Sequence, residues 1–238
     1  MKTVLMFRSY PACHPGDTFF FERQLHDQGY SVVAGLDEVG RGPLAGPVVA
    51  ACVILPLDGI CSIFKDSKSI NSSRREQLSA TLTAIGAIVG IGSACPREIE
   101  QINILQAALL AMQRALEDCA RKNDGRLPDY LLVDGTYQVP SMLPQRTLVK
   151  GESKSASIAA ASIAAKVVRD RLMADAHRLY PHYGFHRHQG YPTQAHRQAI
   201  NRYGPCPFHR RTFRGVREHL IGNEPVRPVR QKRLWEGG

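Results

Sequence analysis

Two spacings of apolar residues alternate along the chain, and between them they assign its elements. Val32-Val33-Ala34-Gly35-Leu36 and Pro47-Val48-Val49-Ala50-Ala51-Cys52-Val53-Ile54-Leu55 are continuous apolar runs of strand length, joined by a polar, glycine-rich connection. Asn71-Ser72-Ser73-Arg74-Arg75-Glu76 has the residue types that open a helix, predicted to reach about Ile85, and residues 87–92 read as a strand. From Pro96 onward, Ile99, Ile102, Leu105, Leu109, Met112 and Leu116 recur at three- and four-residue steps. That spacing predicts a long helix ending near the polar residues 121–125. Tyr130-Leu131-Leu132-Val133 is a buried-type strand running into Asp134-Gly135, and Thr147-Leu148-Val149 is a further short strand leading into Lys150-Gly151-Glu152. An alanine-rich helix over 156–177 can pack closely on a sheet, followed by a loop over 180–192, a helix over 193–203 and a basic helix near 213–221. Residues 1–31 contain Pro11 and Pro15 and show no clear period, which predicts an irregular N-terminal extension. Strands interspersed with helices, the first two hairpin-like, predict an α/β sheet covered by helices.

The length of 238 residues suits one large domain or two small ones. No apolar run approaches the roughly 18 residues of a membrane span, and Val4-Leu5-Met6-Phe7 is too short for a signal-peptide core, so a cytosolic protein is expected, and a monomer. Six cysteines at 13, 52, 61, 95, 119 and 206 form no C-x-x-C pair, which favours buried free thiols over a disulfide framework or a zinc site. The net charge of +10 is concentrated late in the chain, where residues 169–238 carry 14 Lys and Arg against five Asp and Glu. Arg210, Arg211, Arg214, Arg217, Arg227, Arg230, Lys232 and Arg233 form a candidate track for a polyphosphate backbone.

The candidate chemistry sits where the apolar runs end. Asp37 and Glu38 run into Gly40-Arg41-Gly42, and neighbouring strand residues point to opposite faces. The two acids are therefore expected to share a site only if the chain leaves strand geometry there. Asp134 closes another buried-type strand immediately before a glycine; parallel neighbouring strands would bring it to the same place. Close carboxylates repel unless a cation or proton intervenes, and hard oxygen donors suit Mg²⁺ or Mn²⁺. Glu152 follows a further strand as a natural fourth acid, with Asp170 as its competitor unless that residue is only a helix-surface ion pair. His182, His186, His188 and His196 lack partners at zinc spacing, so loop hydrogen bonding or phosphate contact is expected of them. Ser162 lies in a small-residue helix without a triad pattern, so close packing is expected of it.

Taken together, Asp37-Glu38-Val39-Gly40-Arg41-Gly42-Pro43-Leu44-Ala45-Gly46-Pro47-Val48-Val49, Asp66-Ser67-Lys68, Val133-Asp134-Gly135, the run from Ala160 to Asp170 and Gly190-Tyr191-Pro192-Thr193 resemble bacterial ribonuclease HII, in order, over about 32–220. The resemblance implies a ribonuclease H-like mixed sheet flanked by helices, with a small basic helical C-terminal region. The catalytic domain would then span 32–221 and a basic tail 222–238. It further implies endonucleolytic cleavage of RNA in RNA–DNA hybrids and 5′ of single ribonucleotides embedded in duplex DNA, giving 3′-hydroxyl and 5′-phosphate ends. Asp37, Glu38 and Asp134 would ligate two Mg²⁺ or Mn²⁺ ions with substrate bound. The family's fourth acid is usually the Asp of a K-G-D element, where this chain reads Lys150-Gly151-Glu152. Glu152 is carried over in that catalytic role with a longer reach. Gly40, Arg41 and Gly42 would sense the ribose 2′-hydroxyl and adjoining phosphate, and Tyr191 would pack on the sugar at the RNA-to-DNA junction. Lys68 would meet a phosphate or pair with Asp66. The alternatives are a noncatalytic hybrid-binding protein and another ribonuclease H-like phosphoryl transferase, such as a junction nuclease or integrase.

Overall fold

The strand that ends in the acidic pair is the axis of the sheet. In the computed structural model, which describes residues 17–56, 64 and 71–220, β1 (Val33–Val39) pairs antiparallel with β2 (Val48–Ile54) on one side and parallel with β4 (Tyr130–Asp134) on the other. β3 (Ile88–Ala94) extends the antiparallel half and β5 (Gln145–Leu148) the parallel half, giving the order β3-β2-β1-β4-β5. The predicted mixed sheet is therefore present, with β3 shifted by about two residues from the predicted span.

Alternation along the strands divides the core in two. Ala34, Leu36, Val48, Ala50 and Cys52 face α3 (Pro96–Lys122) and pack on its Ala107, Ala111 and Ala115. Val49, Ala51 and Val53 face α4 (Ala156–Leu179) and pack on Ala156, Ala160, Ile163 and Ala164, with α2 (Ser72–Ala84) beside them through Leu78 and Leu82. Alanines bury little area each, so what they provide is proximity. A Cβ on Gly35 would lie 2.2 Å from the Ser157 carbonyl carbon. The α4 backbone thus rests directly on β1, two residues before Asp37.

Four predicted features change. Residues 17–31 do not form an irregular extension: α1 (Phe20–Asp27) docks Leu25 against Val33, Leu132, Leu148 and Ile158. Its Glu22 is buried and accepts hydrogen bonds from Ser155 Oγ (2.6 Å) and Ser157 N (3.0 Å), clamping the start of α4. Burial nevertheless raises the Glu22 pKa. Second, the helix from Pro96 is broken at Asn103 (φ 64°, ψ 167°), whose Oδ1 accepts from Leu105 N and Gln106 N and so caps the second segment. Third, the basic helix predicted near 213–221 is only a 3₁₀ turn at Arg217–His219, because Arg210 and Val216 turn inward and Gly215 takes a positive φ. Fourth, the predicted 180–192 loop carries a 3₁₀ turn and the short α5 (Phe185–His188), before α6 (Gln194–Tyr203) capped by Thr193. Lys68, the Asp66-Ser67-Lys68 element and the tail 222–238 lie outside the described residues. No helix among the described residues is long and apolar enough to cross a membrane.

Candidate active site

Parallel pairing of β1 with β4 runs from Val33↔Tyr130 to Leu36↔Val133 and then stops. β1 continues through Val39, so the expectation that the chain leaves strand geometry at the acids is corrected. Both acids reach one cleft because β1 outlasts its β4 partner, and the opening between the strands is shared by the two faces. The cleft, about 290 Å³, is lined by Asp37, Glu38, Asp134, Glu152, Ser162, Lys166 and Tyr191 among others. Carboxylate oxygens of Asp37, Asp134 and Glu152 lie within 4.8 Å of one another, an arrangement that could hold a metal ion. Glu38 is not in this group of three. It lines the same cleft with its carboxylate 3.4 Å from Arg41 Nη1, and it also borders an adjoining hollow with Leu105, Leu109 and Met112 of α3.

Asp37 and Asp134 are each held by a short contact. Asp37 is buried on the α4 face of β1; its Oδ1 accepts from Glu38 N (2.7 Å), and Ser162 of α4 hydrogen-bonds the same side chain. Asp134 Oδ1 accepts from Gly151 N (2.6 Å), which ties the end of β4 to the turn carrying Glu152. Glu152 is buried in a single 3₁₀ turn, Gly151–Ser153, between β5 and α4. Burial raises the Asp37 pKa well above the usual carboxylate value, and the charges of Glu38 and Asp134 add to the effect. Burial also raises Glu38, opposed by Arg41. A proton or a cation is therefore favoured here. The competing acid, Asp170, lies outside the cluster: it pairs with Lys166 on the same helix and approaches Arg75 at 3.9 Å.

The Gly40-Arg41-Gly42 turn is built from beneath by two buried arginines. Arg210, 0% exposed, donates from Nε to Gly46 O (2.9 Å), from Nη1 to Arg41 O (2.9 Å) and from Nη2 to Gly40 O (2.5 Å). Arg169, also 0% exposed, donates from Nε to Pro47 O (3.0 Å) and from Nη2 to Ala45 O (3.3 Å) and Gln189 O (3.1 Å). Burial lowers the guanidinium pKa to about 10 for Arg169 and, with the Arg169 charge beside it, to about 9 for Arg210. Both remain cationic at neutral pH. Gly40 has φ +97°, and a Cβ there would lie 2.2 Å from Arg169 Nε, so only glycine fits. Arg41 and Gly42 are exposed; Arg41 borders the adjoining hollow, and a Cβ on Gly42 would sit 3.6 Å from the ring of Tyr191, which lines the cleft. Tyr191 itself is 42% exposed at the rim.

Arg210 therefore does not belong to the predicted basic track, while Arg211, Arg214 and Arg217 are exposed. The available signal was its setting between Phe208 and Phe213, over the latter of which its guanidinium stacks at 5.0 Å. Ser162, Arg75 and Lys166 are site-lining residues to which sequence pattern gave no role there. Of the four histidines, His188 and His196 hold the loops by hydrogen bonds, while His182 and His186 make ring contacts with Tyr203 and His177: His188 Nε2 lies 2.7 Å from Tyr183 O, His196 Nδ1 lies 2.9 Å from Tyr191 O, and His196 Nε2 lies 3.0 Å from His209 Nε2. His209 Nδ1 accepts from Cys206 N (3.0 Å). With Nδ1–H of His196 donating to the carbonyl and Nε2–H of His209 donating to His196, both imidazoles are neutral. Burial lowers their pKa values to about 4 for His196 and about 3 for His209.

The sequence family described as Ribonuclease HII matches residues 34–216. Ribonuclease HII of Desulfotalea psychrophila is 56% identical over 206 residues, covering 87% of this chain and 91% of its own. That of Syntrophotalea carbinolica is 54% identical over 201 residues, covering 84% of this chain and 94% of its own. Among solved structures, ribonuclease H2 of Pyrococcus horikoshii superimposes with a TM-score of 0.63 at 26% identity, over 79% of this chain and 96% of that one. Bst-RNase HIII in complex with Mn²⁺ shares the fold, with a TM-score of 0.64 at 18% identity over 90% and 75% of the two chains.

Proposed function

The chain belongs to the ribonuclease HII family, and from that premise we propose that it hydrolyses the RNA strand of RNA–DNA hybrids as an endonuclease, cuts 5′ of single ribonucleotides embedded in duplex DNA, and leaves 3′-hydroxyl and 5′-phosphate ends. The observation that carries this reading is the convergence of Asp37, Asp134 and Glu152 within 4.8 Å, beside an exposed Arg41-Gly42 face.

The donor set fits a divalent ion. Three carboxylates, without sulfur or imidazole, are hard oxygen ligands of the kind Mg²⁺ and Mn²⁺ prefer. Asp37, Asp134 and Glu152 would hold such ions, two of them with substrate present, and Glu38 would join from the adjoining wall. When bound, these ions supply an activated water and charge stabilisation at the departing 3′ oxygen. The chain's own groups prepare the place. Ser162 and the Glu38 N–H fix one carboxylate of the cluster, and the Gly151 N–H fixes another. Arg41 and the main chain at Gly40 and Gly42 grip the ribose and its phosphate, chemistry that suits open amides beside a cation. Tyr191 packs on the following deoxyribose. Recognition of one 2′-hydroxyl is then sufficient for cutting.

An end-labelled duplex carrying one ribonucleotide, compared with an all-DNA duplex, tests the proposal. Cleavage 5′ of the ribonucleotide, dependent on Mg²⁺ or Mn²⁺, is expected. Cutting confined to long RNA stretches, or a 2′,3′-cyclic phosphate product, would refute it.

A further inference from the structure

We propose that Arg210, with Arg169 bracing the neighbouring segments, is a positioning residue for ribose recognition: it holds the carbonyls of the Gly-Arg-Gly turn inward so that the amides of the same peptide planes face the cleft. The inference rests on the reading of that turn as the ribose-sensing element. In a trans peptide the C=O and N–H point to opposite sides, and the described chain contains no cis bond. The Gly40 carbonyl shares a plane with the Arg41 N–H, and the Arg41 carbonyl with the Gly42 N–H. Arg210 takes both carbonyls on one guanidinium, at 2.5 and 2.9 Å, while its Nε takes Gly46 O across the turn. Inward capture of the two oxygens therefore directs two consecutive N–H groups outward. Those groups are donors a 2′-oxygen or phosphate oxygen could use.

Only a planar, five-donor fork can satisfy three carbonyls in this way; an ammonium reaches fewer and with no fixed plane. Burial of the fork is costly unless it is satisfied, and among the described residues neither arginine has a carboxylate partner. Both positive charges lie under the turn rather than neutralised in a salt bridge, which adds a field favouring an anion above it. Arg169 sets the second distance. It bonds Ala45 O on the segment after the turn and Gln189 O two residues before Tyr191, so turn and tyrosine share one brace. An isolated antiparallel bridge between Ala45 and His209 closes the frame, through Arg210 N to Leu44 O and Gly46 N to Phe208 O, both within 2.9 Å.

The test is equilibrium binding, with metal chelated to prevent cutting, to a single-ribonucleotide duplex and to an all-DNA duplex of the same sequence. Wild type is expected to prefer the ribose duplex. Arg210→Lys keeps the charge and should lower that preference about tenfold, through loss of aligned amide donors, while leaving affinity for plain DNA little changed. A merely structural role would weaken both duplexes together and leave their ratio intact. Gly42→Ala, which adds a methyl on the cleft side, reports on the turn itself. If wild type shows no preference, or Gly42→Ala keeps it, the ribose-sensing turn and this inference fall together. Loss of preference in Gly42→Ala with full preference in a folded Arg210→Lys overturns the positioning role alone. Should Arg210→Lys not fold, amide exchange on the wild type decides: the Arg41 and Gly42 N–H groups must slow on binding the ribose duplex, and equal exchange in both complexes refutes the proposal.

Discussion

Asp37 and Asp134 each interrupt a buried apolar run, Asp134 immediately before a glycine, and both interruptions are legible from sequence; Glu152 lies just beyond a third strand, in the Lys150-Gly151-Glu152 turn. Asp37→Asn, Glu38→Gln and Asp134→Asn should each reduce turnover by at least about a hundredfold, more than the loss typical of outer-shell groups around a metal, with the fold retained by circular dichroism. Glu152→Gln should impair turnover far more than Asp170→Asn, since Asp170 is engaged with Lys166 and Arg75 outside the cluster. A larger loss from Asp170→Asn at intact fold would reverse that assignment. Arg210 was not legible in the same way. Charge pattern counts cations but does not say which of them turns inward, and only the flanking Phe208 and Phe213 hinted at burial.

Elements with a strong local signal are legible within a few residues, and those held by tertiary contacts are not. β1 and β2 follow their continuous apolar runs, α2 its capping residues and α4 its alanines. α1 was missed because its signals are a phenylalanine cluster and Glu22, whose partners Ser155 and Ser157 are more than 130 residues away. Gly35→Ala should force α4 off β1, costing roughly 3 kcal/mol by overpacking and lowering turnover with it, because Ser162 of α4 holds Asp37. Urea midpoints and single-turnover rates would show both losses; an unchanged midpoint would contradict the close approach. The break in α3 gives a finer comparison. Asn103→Ala removes the cap to Leu105 and Gln106 and should cost about 1 kcal/mol, while Asn103→Gly should cost only a few tenths. Equal costs in thermal melts would mean that the cap is not what Asn103 contributes.

At the scale of the whole molecule, charge and protonation set the response to solution conditions. Removing residues 222–238 deletes Arg227, Arg230, Lys232 and Arg233. Hybrid affinity should fall and its slope against log salt should flatten by up to roughly 3, with turnover at saturation little changed. An identical slope would mean that the tail does not meet phosphate. The neutral His196–His209 pair acts on stability. Its folded pKa values, about 4 and about 3, lie below the unfolded 6.5, so the unfolded chain binds more protons between those limits. The pair's contribution is complete above pH 6.5 and is lost as pH falls toward 4, on the order of 2 kcal/mol per imidazole between pH 7 and 5. His209→Asn should flatten the fall in unfolding free energy over that window, and a parallel curve would exclude the pair as its source.

The guanidinium that fixes the Gly40 carbonyl lies 170 residues further along the chain. During synthesis on the ribosome all of the cleft's acids have been made by residue 152, long before Arg210 exists. The nascent protein would thus hold its carboxylates without a finished turn, and preference for ribose would arrive only as the last part of the domain leaves the exit tunnel. A product cut short before Phe208 would carry the acid cluster without the guanidinium that orders the turn, so the chain's last-made segment is the one that confers selectivity.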